Sequence, residues 1–253
     1  RVTAILVLHD GATWLPEVVV SLTSQTRQID QIIAVDTGSL DSSAKLVKGA
    51  RIPVLTMDRD TGFGEAISHA VATLPVIVAP ENEWLWIIHD DISLQPDALE
   101  NLLAEVETRP SVAMAGPKIL GWHNRTHLLE IGISIAANGN RWTGLEDDEY
   151  DQGQRDGVHE ELAVSTAGAL IRRDVFEQLG GFDPNLDLFR DDVDFGWRLY
   201  SAGFAAIAVS SAVAFHAEAS ANERRTVDVA EAFLHRPLLL DRRNAAYVLL
   251  ANS

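Results

Sequence analysis

The chain has 253 residues, 47% of them hydrophobic and 23% charged, which is enough to bury a large core and is typical of a globular protein. Lys plus Arg is 20 and Asp plus Glu is 37, and the resulting net charge of −17 opposes binding to nucleic acid or anionic lipid through a basic surface. The absence of cysteine excludes disulfides, thiolate metal sites and cysteine nucleophiles. No apolar run reaches the roughly 18 residues that a membrane-spanning helix needs.

Short apolar runs alternate with amphipathic patterns through the first half of the chain. The predicted strands are 3–8, 31–36, 53–57 and 84–89, and the predicted helices are 15–25, 40–48, 64–73 and 96–107. This alternation predicts an α/β fold in which helices flank both faces of a mostly parallel central sheet. Open sheets of this class bind ligands beyond the carboxyl ends of their strands.

The second half is less regular, but it continues the same domain without a low-complexity linker. Its predicted strands are 112–117, 128–135, 162–171 and 205–215, its predicted helices are 173–179 and 192–202, and 139–157 is predicted to be an acidic loop. We therefore expect one domain over residues 1–225, followed by a helical extension over 226–253. The apolar end of that extension and the start without methionine suggest a domain cut from a longer protein.

Polar clusters follow three of the predicted strands, at residues 9–10, 36–38 and 89–91. Asp36 ends the second strand, where its carboxylate could accept a hydrogen bond from a base or ribose; alternatively it only caps the next helix. The adjacent carboxylates of Asp90 and Asp91 are costly to ionise together unless a cation compensates them, and Mg²⁺ or Mn²⁺ would suit such oxygen ligands. The alternative for this pair is a capped turn into the next helix.

A third acidic cluster opens a helix at Asp191, Asp192 and Asp194. Asp194 precedes Arg198 by four residues, a spacing that predicts a structural ion pair. An acid at Asp191 also suits the helix dipole, which leaves Asp192 as the best candidate for a general base. His216 ends the last predicted strand, where metal ligation competes with an ordinary structural role.

Taken in order, these clusters resemble the family 2 glycosyltransferases of the GT-A fold over about residues 2–225. The matching segments are 8–10, 15–16, 24–26, 35–42, 60–64, 89–91, 180–183, 191–194 and His216. The resemblance implies an inverting enzyme that moves a sugar from a nucleotide-diphosphate donor to a hydroxyl, with a divalent cation on the diphosphate. UDP is the default nucleotide, while dTDP-rhamnose and GDP-mannose stay open.

The resemblance also implies a role for individual residues. His9, Asp10, Asp36, Gly38, Asp60 and Gly62 would form the nucleotide site, with Asp90 near the ribose or donor sugar. Asp91 and His216 would bind the metal, and Asp192 would deprotonate the acceptor with Asp191 in the place of the family's usual Glu. His89 stands where the family's metal motif has its first Asp.

Residues 144–154 resemble a subgroup of large actinobacterial members in which the catalytic domain precedes transmembrane helices. That implies a location on the cytoplasmic face of the membrane, a glycan or lipid-linked acceptor, and a role in making cell-envelope polysaccharide or glycolipid. His89 keeps open the alternative of an inactive sugar-nucleotide or glycan-binding module. A dinucleotide-dependent oxidoreductase is disfavoured because the first strand is not followed by Gly-x-Gly-x-x-Gly, and a nucleotidyltransferase because no glycine-rich basic loop stands there.

Overall fold

The computed structural model describes residues 1–76, 79–137, 139–220 and 236–252. The strands are β1 (Val2–Leu8), β2 (Gln31–Thr37), β3 (Val54–Met57), β4 (Trp84–His89), β5 (Ile92–Leu94), β6 (Val112–Gly121), β7 (Leu128–Glu130), β8 (Ser134–Ile135), β9 (Arg141–Trp142), β10 (Val158–Glu161), β11 (Leu170–Arg172) and β12 (Ala205–His216). The helices are α1 (Leu15–Thr23), α2 (Ser43–Gly49), α3 (Phe63–Ala72), α4 (Ala98–Glu107), α5 (Arg173–Gln178), α6 (Asp191–Ser201) and α7 (Pro237–Asn252).

One large sheet organises the chain, with the strand order β10-β12-β6-β11-β4-β1-β2-β3. Strands β4, β1, β2 and β3 run parallel to one another, whereas β11 is antiparallel to both β4 and β6. Strand β12 runs parallel to β6, and the short β5 pairs antiparallel with the end of β12. The predicted α/β class with a mostly parallel central sheet is confirmed.

The continuous apolar runs occupy the middle of this sheet, where both faces are covered. All seven residues of β1 are buried, as expected for a central parallel strand. Alternate side chains of β1 enter different cores: Leu6 packs in the core that contains Leu15 of α1, and Ile5 in the core that contains Ile67 of α3. Because β1 pairs in parallel with both β2 and β4, the carboxyl ends of these three strands lie at the same edge of the sheet.

The boundaries differ from prediction mainly where polar turns or short strands intervene. Helix α2 begins at Ser43 rather than residue 40, because the Asp41 carboxylate accepts a hydrogen bond from the Ser43 amide at 2.8 Å and makes a turn there. The predicted strand 128–135 is split into β7 and β8, and that over 162–171 is reduced to β11. The predicted acidic loop contains β9, and β5 was not predicted.

The C-terminal helix α7 packs on the domain. Val248 lies in a small core with Val193 of α6, and the Asn244 side-chain amide donates to the backbone carbonyl of Leu188 at 2.7 Å. The predicted boundary between residues 225 and 226 falls within 221–235, outside the described residues. Among the helices of the described ranges, none combines the length and the hydropathy that crossing a bilayer requires.

Candidate active site

Three potential metal ligands converge where β4 and β12 end. The ligand atoms of His89, Asp91 and His216 all lie within 4.8 Å of one another. Strand β5 explains the convergence, because it starts immediately after Asp91 and pairs Ile92 with His216. His89 and Asp91 were near in sequence, but only this pairing brings in the third group.

The chemistry and the spacing of this triad fit a divalent cation. The His216 Nε2 and Asp91 Oδ1 atoms are 3.2 Å apart, and the other Asp91 oxygen accepts a hydrogen bond from the Ala219 amide at 2.8 Å. His89 Nε2 lies 3.1 Å from Thr166 Oγ1. Ligands bound at about 2.2 Å can be at most about 4.4 Å apart, so the triad would need to close by only a few tenths of an ångström. Two imidazoles and one carboxylate suit a transition-metal ion better than an all-oxygen site would.

The Asp192 carboxylate is held at the start of α6 by two interactions. Its Oδ1 accepts a hydrogen bond from the Val193 amide at 2.8 Å, and its Oδ2 lies 3.1 Å from a guanidinium nitrogen of Arg141 on β9. Arg141 also forms an ion pair with Glu130 of β7. Burial raises the pKa of Glu130, although the charge of Arg141 opposes that rise. Arg141 therefore joins two acids that approach from distant parts of the chain.

Asp191 has a different environment from its neighbour Asp192. Its residue is 4% exposed, and its Oδ1 is buried without a hydrogen-bond partner within the described part of the chain. Burial, followed by the charge of Asp192, raises the pKa of Asp191 well above its usual range. Burial thus favours the neutral form of the Asp191 carboxyl.

The third acid of this cluster is structural, as the sequence predicted. The Asp194 carboxylate accepts hydrogen bonds from two guanidinium nitrogens of Arg198 at 2.8 and 2.6 Å. Arg198 in turn donates to the backbone carbonyls of Leu179 and Gly181, at 2.9 Å in each case. The pair therefore ties α6 to the turn after α5.

A cavity of about 390 Å³, here called the central cavity, connects the triad with Asp191 and Asp192. Its polar lining includes His89, Asp91, Glu130, Arg141, Asp191, Asp192 and His216. Phe63 of α3 forms part of the wall and packs edge-on against His89, with ring centroids 4.7 Å apart. Asp241 of α7 also lines it, so the C-terminal helix completes the cavity. A cation, a diphosphate and an acid that can take a proton could meet in this space.

The nucleotide-site residues predicted on β1 and β4 do contact one another. The Asp90 carboxylate accepts a hydrogen bond from the His9 amide at 2.7 Å, while His9 Nδ1 lies 2.8 Å from Thr37 Oγ1 at the end of β2. A Cβ atom at Gly11 would stand 2.3 Å from the Asp90 carboxylate. Glycine is therefore required there for Asp90 to keep this position.

Asp10, Asp36 and Gly38 form a second group at the same sheet edge, organised by Arg59. The guanidinium of Arg59 donates to the Asp10 carboxylate at 2.6 Å and to the Gly38 carbonyl at 3.0 Å. Burial alone would raise the pKa of Asp10, but the hydrogen bonds from Arg59 and the Leu40 amide outweigh it and lower that pKa. Asp36 is buried and accepts a long, 3.3 Å hydrogen bond from the Ser39 amide. This contact lies in the turn after β2 and does not cap α2, whose N-cap residue is Ser42.

Asp60 and Gly62 stand apart from these contacts. Asp60 is exposed. Gly62 precedes α3 and lies against the backbone of Asp187, where an added Cβ would be 3.1 Å from the Asp187 Cα. Gly62 therefore takes part in the packing of the start of α3 against the loop before α6.

Sequence reasoning missed three residues with prominent positions in the site. His89 was treated as a departure from an Asp-containing motif, although it ends β4 only two residues before Asp91, and the turn at Asp90 and Asp91 leaves both side chains in the triad. Arg141 and Arg59 lie in a polar loop and a turn, and their partners are 51 and 49 residues away. No local sequence pattern predicts contacts between residues so far apart in the chain.

The comparison with known families agrees with this geometry. Residues 17–231 match the sequence profile described as "Glycosyltransferase like family 2", which is most of the chain. The chain belongs to glycosyltransferase family 2. The fold and the glycosyl-transferring enzyme class predicted from the ordered clusters are confirmed.

Curated relatives and a solved structure support the same assignment. This family 2 chain is 24% identical over 240 residues to the N-acetylglucosaminyl-diphospho-decaprenol L-rhamnosyltransferase of Mycobacterium tuberculosis, covering 87% of the chain and 77% of the relative. It is 25% identical to the O-antigen chain rhamnosyltransferase RfbN of Salmonella typhimurium, covering 85% and 66%. A crystal structure of GalNAc-T7 with UDP, GalNAc and Mn²⁺ superposes with a TM-score of 0.67 at 15% identity. That alignment covers 85% of this chain and 43% of GalNAc-T7. Because the sequence identity is low, the similarity supports the fold alone.

Proposed function

We propose that this domain transfers a sugar, with inversion, from a nucleotide-diphosphate donor to a hydroxyl of an envelope glycan or lipid-linked glycan. The observation that carries the proposal is the central cavity, which contains both a three-ligand cation site and the Asp192 carboxylate. Metal ligands alone would suit a binding module. An acid in the same cavity supplies the second group that transfer to a hydroxyl requires.

His89, Asp91 and His216 would hold the cation. When bound there, a divalent cation supplies positive charge that neutralises the departing nucleotide diphosphate. The Ala219 amide fixes one Asp91 oxygen through its 2.8 Å hydrogen bond and so orients the carboxylate. Outer contacts of this kind tune and position metal ligands in proteins.

Asp192 is proposed as the general base. Its carboxylate would take the proton of the acceptor hydroxyl as that oxygen bonds to the anomeric carbon, and the nucleotide diphosphate would leave from the opposite face of the sugar. Asp192 suits this role better than Asp191, whose Oδ1 is buried beside α3 and whose pKa is raised by burial. Arg141 would hold the Asp192 carboxylate in the cavity.

The β1–β2–β4 edge is proposed as the nucleotide site, with Asp36 and the backbone near Gly38 facing the nucleoside and Asp90 facing the ribose or sugar. Arg59, which links Asp10 to Gly38, would keep this surface in shape. UDP-sugars stay first candidates as donors. Because two relatives are named rhamnosyltransferases, a dTDP-linked rhamnose donor is an equally direct candidate to test. We expect the domain to work at the cytoplasmic face of the membrane, attached through regions outside this chain.

A thermal-shift experiment with UDP, dTDP and GDP, each with and without Mn²⁺, tests this proposal. A ligand that binds only the folded state raises the melting temperature. We expect one nucleotide to stabilise the parent chain strongly with Mn²⁺ and weakly without it, and Asp91→Ala to lose the Mn²⁺-dependent part. Equal stabilisation of parent and variant, or none by any nucleotide, would contradict the proposed cation-assisted site.

A further inference from the structure

A second cavity of about 280 Å³, here called the outer cavity, lies beside the β8–β9 pair. Its lining includes Ser134, Trp142, Gly144, Arg155, His159 and Glu161. Within the described ranges, the two cavities have no lining residue in common. The outer cavity is therefore a separate feature, and none of the residues assigned above to the cation, the base or the nucleotide lines it.

Strand β9 connects the two cavities. Its first residue, Arg141, reaches Asp192 in the central cavity, and its second residue, Trp142, lines the outer cavity. Successive side chains of a strand point to opposite faces, and the Cα atoms of these two residues are only about 3.8 Å apart. A ligand in the outer cavity would thus be bound directly behind the residue that holds the proposed base.

Trp142 offers an unusual surface for binding. Its residue is 61% exposed, although an indole ring gains much by burial. Gly144 passes close to the edge of the ring, since an added Cβ would lie 3.9 Å from two of its atoms. The ring is placed as one wall of the cavity, with an open apolar face and a polar N–H group.

Glu161 provides a polar part of the cavity lining. Its side chain crosses Gly132, where an added Cβ would stand 2.3 Å from the Glu161 Cγ, so the carboxyl group has a defined place. Burial raises the pKa of Glu161, and the nearby charge of His159 only partly opposes this. An ionised carboxylate accepts hydrogen bonds and a protonated carboxyl can also donate one, so a ligand with hydroxyl groups suits Glu161 in either form.

The charged groups around the outer cavity favour a neutral ligand. Arg155 is committed to the Glu149 carboxylate through two contacts of 3.0 Å and to the Gly144 carbonyl at 2.8 Å, which leaves little positive charge for an anion. The adjoining segment 146–151 contains five acidic residues among its six. An anionic lipid surface would be repelled here, so the exposed indole is poorly explained as a membrane anchor.

We infer that the outer cavity is a saccharide-binding site in which Trp142 stacks on the apolar face of a sugar ring and Glu161 accepts hydrogen bonds from its hydroxyls. An aromatic face and a carboxyl group in one cavity match the apolar face and the hydroxyl groups of a pyranose ring. Resting on the proposed function, the saccharide is assigned as a non-reacting unit of the glycan acceptor. Binding behind Arg141 would hold the acceptor chain next to the central cavity.

Saturation-transfer NMR on the whole chain, without nucleotide or metal, tests the inference with methyl α-L-rhamnopyranoside and N,N′-diacetylchitobiose as probes. We expect at least one probe to bind, with affinity reduced at least about tenfold by Trp142→Ala and several-fold by Glu161→Gln. Trp142→Phe, which keeps an aromatic face, should retain most of the binding. Tyr200→Ala is the control, because Tyr200 is 64% exposed but does not line the outer cavity.

Failure to bind either saccharide, or equal binding by the parent and both Trp142 variants, would overturn the inference. Attachment of the parent to anionic vesicles that Trp142→Ala removes, without saccharide binding, would also overturn it in favour of a membrane contact. The outcomes separate the two proposals. Nucleotide binding with Mn²⁺ but no saccharide binding removes only the outer site, and saccharide binding without any nucleotide binding contradicts only the proposed transfer.

Discussion

Arg141 and Asp192 form an ion pair across 51 residues of sequence, with 3.1 Å between guanidinium nitrogen and carboxylate oxygen. The same guanidinium pairs with Glu130, so one cation joins two acids that line the central cavity. The arrangement fixes a carboxylate at the wall of a cavity that also contains the three potential metal ligands. Positioning of this kind is a main contribution of proteins to catalysis.

Replacing Arg141 tests that positioning. In Arg141→Met the Asp192 carboxylate loses its cation, and we expect kcat to fall by about 10- to 100-fold while KM for the donor changes little. Arg141→Lys should recover part of the loss, because it restores the charge without the planar guanidinium group. Steady-state kinetics measures both constants.

Arg125→Met is the matched control, because Arg125 forms an exposed ion pair with Glu17 and such pairs contribute little. An unchanged kcat in Arg141→Met, with the variant folded, would mean that the pair has no positioning role. A loss confined to KM would instead assign Arg141 to substrate binding.

His89 provides a second test, since it stands where an Asp was expected. We expect His89→Ala to weaken Mn²⁺ binding by at least about tenfold, because a ligand of the triad is lost. His89→Asp should keep a site but shift its preference towards Mg²⁺, which favours oxygen ligands. Titration of free Mn²⁺ by electron paramagnetic resonance measures the affinity without any enzymatic reaction.

His123→Ala controls for the loss of an imidazole, because His123 is exposed and lies outside the triad. The assignment of His89 as a ligand fails if His89→Ala and His123→Ala bind Mn²⁺ equally well.

The raised pKa of Asp191 predicts that the free energy of unfolding depends on pH. Its pKa in the folded chain is raised by burial and then by Asp192, so the unfolded chain releases this proton first as the pH rises. The stability associated with the protonated carboxyl is complete below the unfolded pKa and is lost as the pH rises through the folded pKa. Each unit of pKa difference corresponds to about 1.4 kcal/mol.

Asn cannot ionise, so the free energy of unfolding of Asp191→Asn relative to the parent should increase between about pH 5 and about pH 8. Urea denaturation at both pH values measures it. Asp97→Asn, at the exposed start of α4, serves as the control. A relative stability of Asp191→Asn that falls or stays constant over this range would show that burial does not disfavour the Asp191 carboxylate.

The sequence predicted the parallel half of the fold because buried strands such as Val2–Leu8 are apolar throughout. It failed in 128–171, where β10 (Val158–Glu161) has the sequence Val-His-Glu-Glu and is held by pairing with β12 rather than by an apolar pattern. Local composition there indicates a loop. Tertiary pairing overrides it.

The candidate site, like the fold, was predictable from the sequence only in part. Asp91, His216 and Asp192 were recognisable from order and motif, and the structure brings all three to one cavity. The ligand position of His89 and the Arg141 pair depend on contacts between distant segments, which no spacing rule supplies. Asp194, by contrast, was assigned to an ion pair from its four-residue spacing to Arg198 alone, and that pair is confirmed.

The central claim is that Asp192 acts as the base in a cavity that also binds the cation and the donor. Its most direct test compares Asp192→Asn with the parent in single-turnover sugar transfer and in donor binding with Mn²⁺. Asn keeps the shape of Asp but cannot take the proton, so we expect donor affinity within a few fold of the parent and a transfer rate lower by at least about a hundredfold. Near-normal transfer by Asp192→Asn, with Asp191→Asn inactive but still able to bind donor, would contradict the account and assign the base to Asp191.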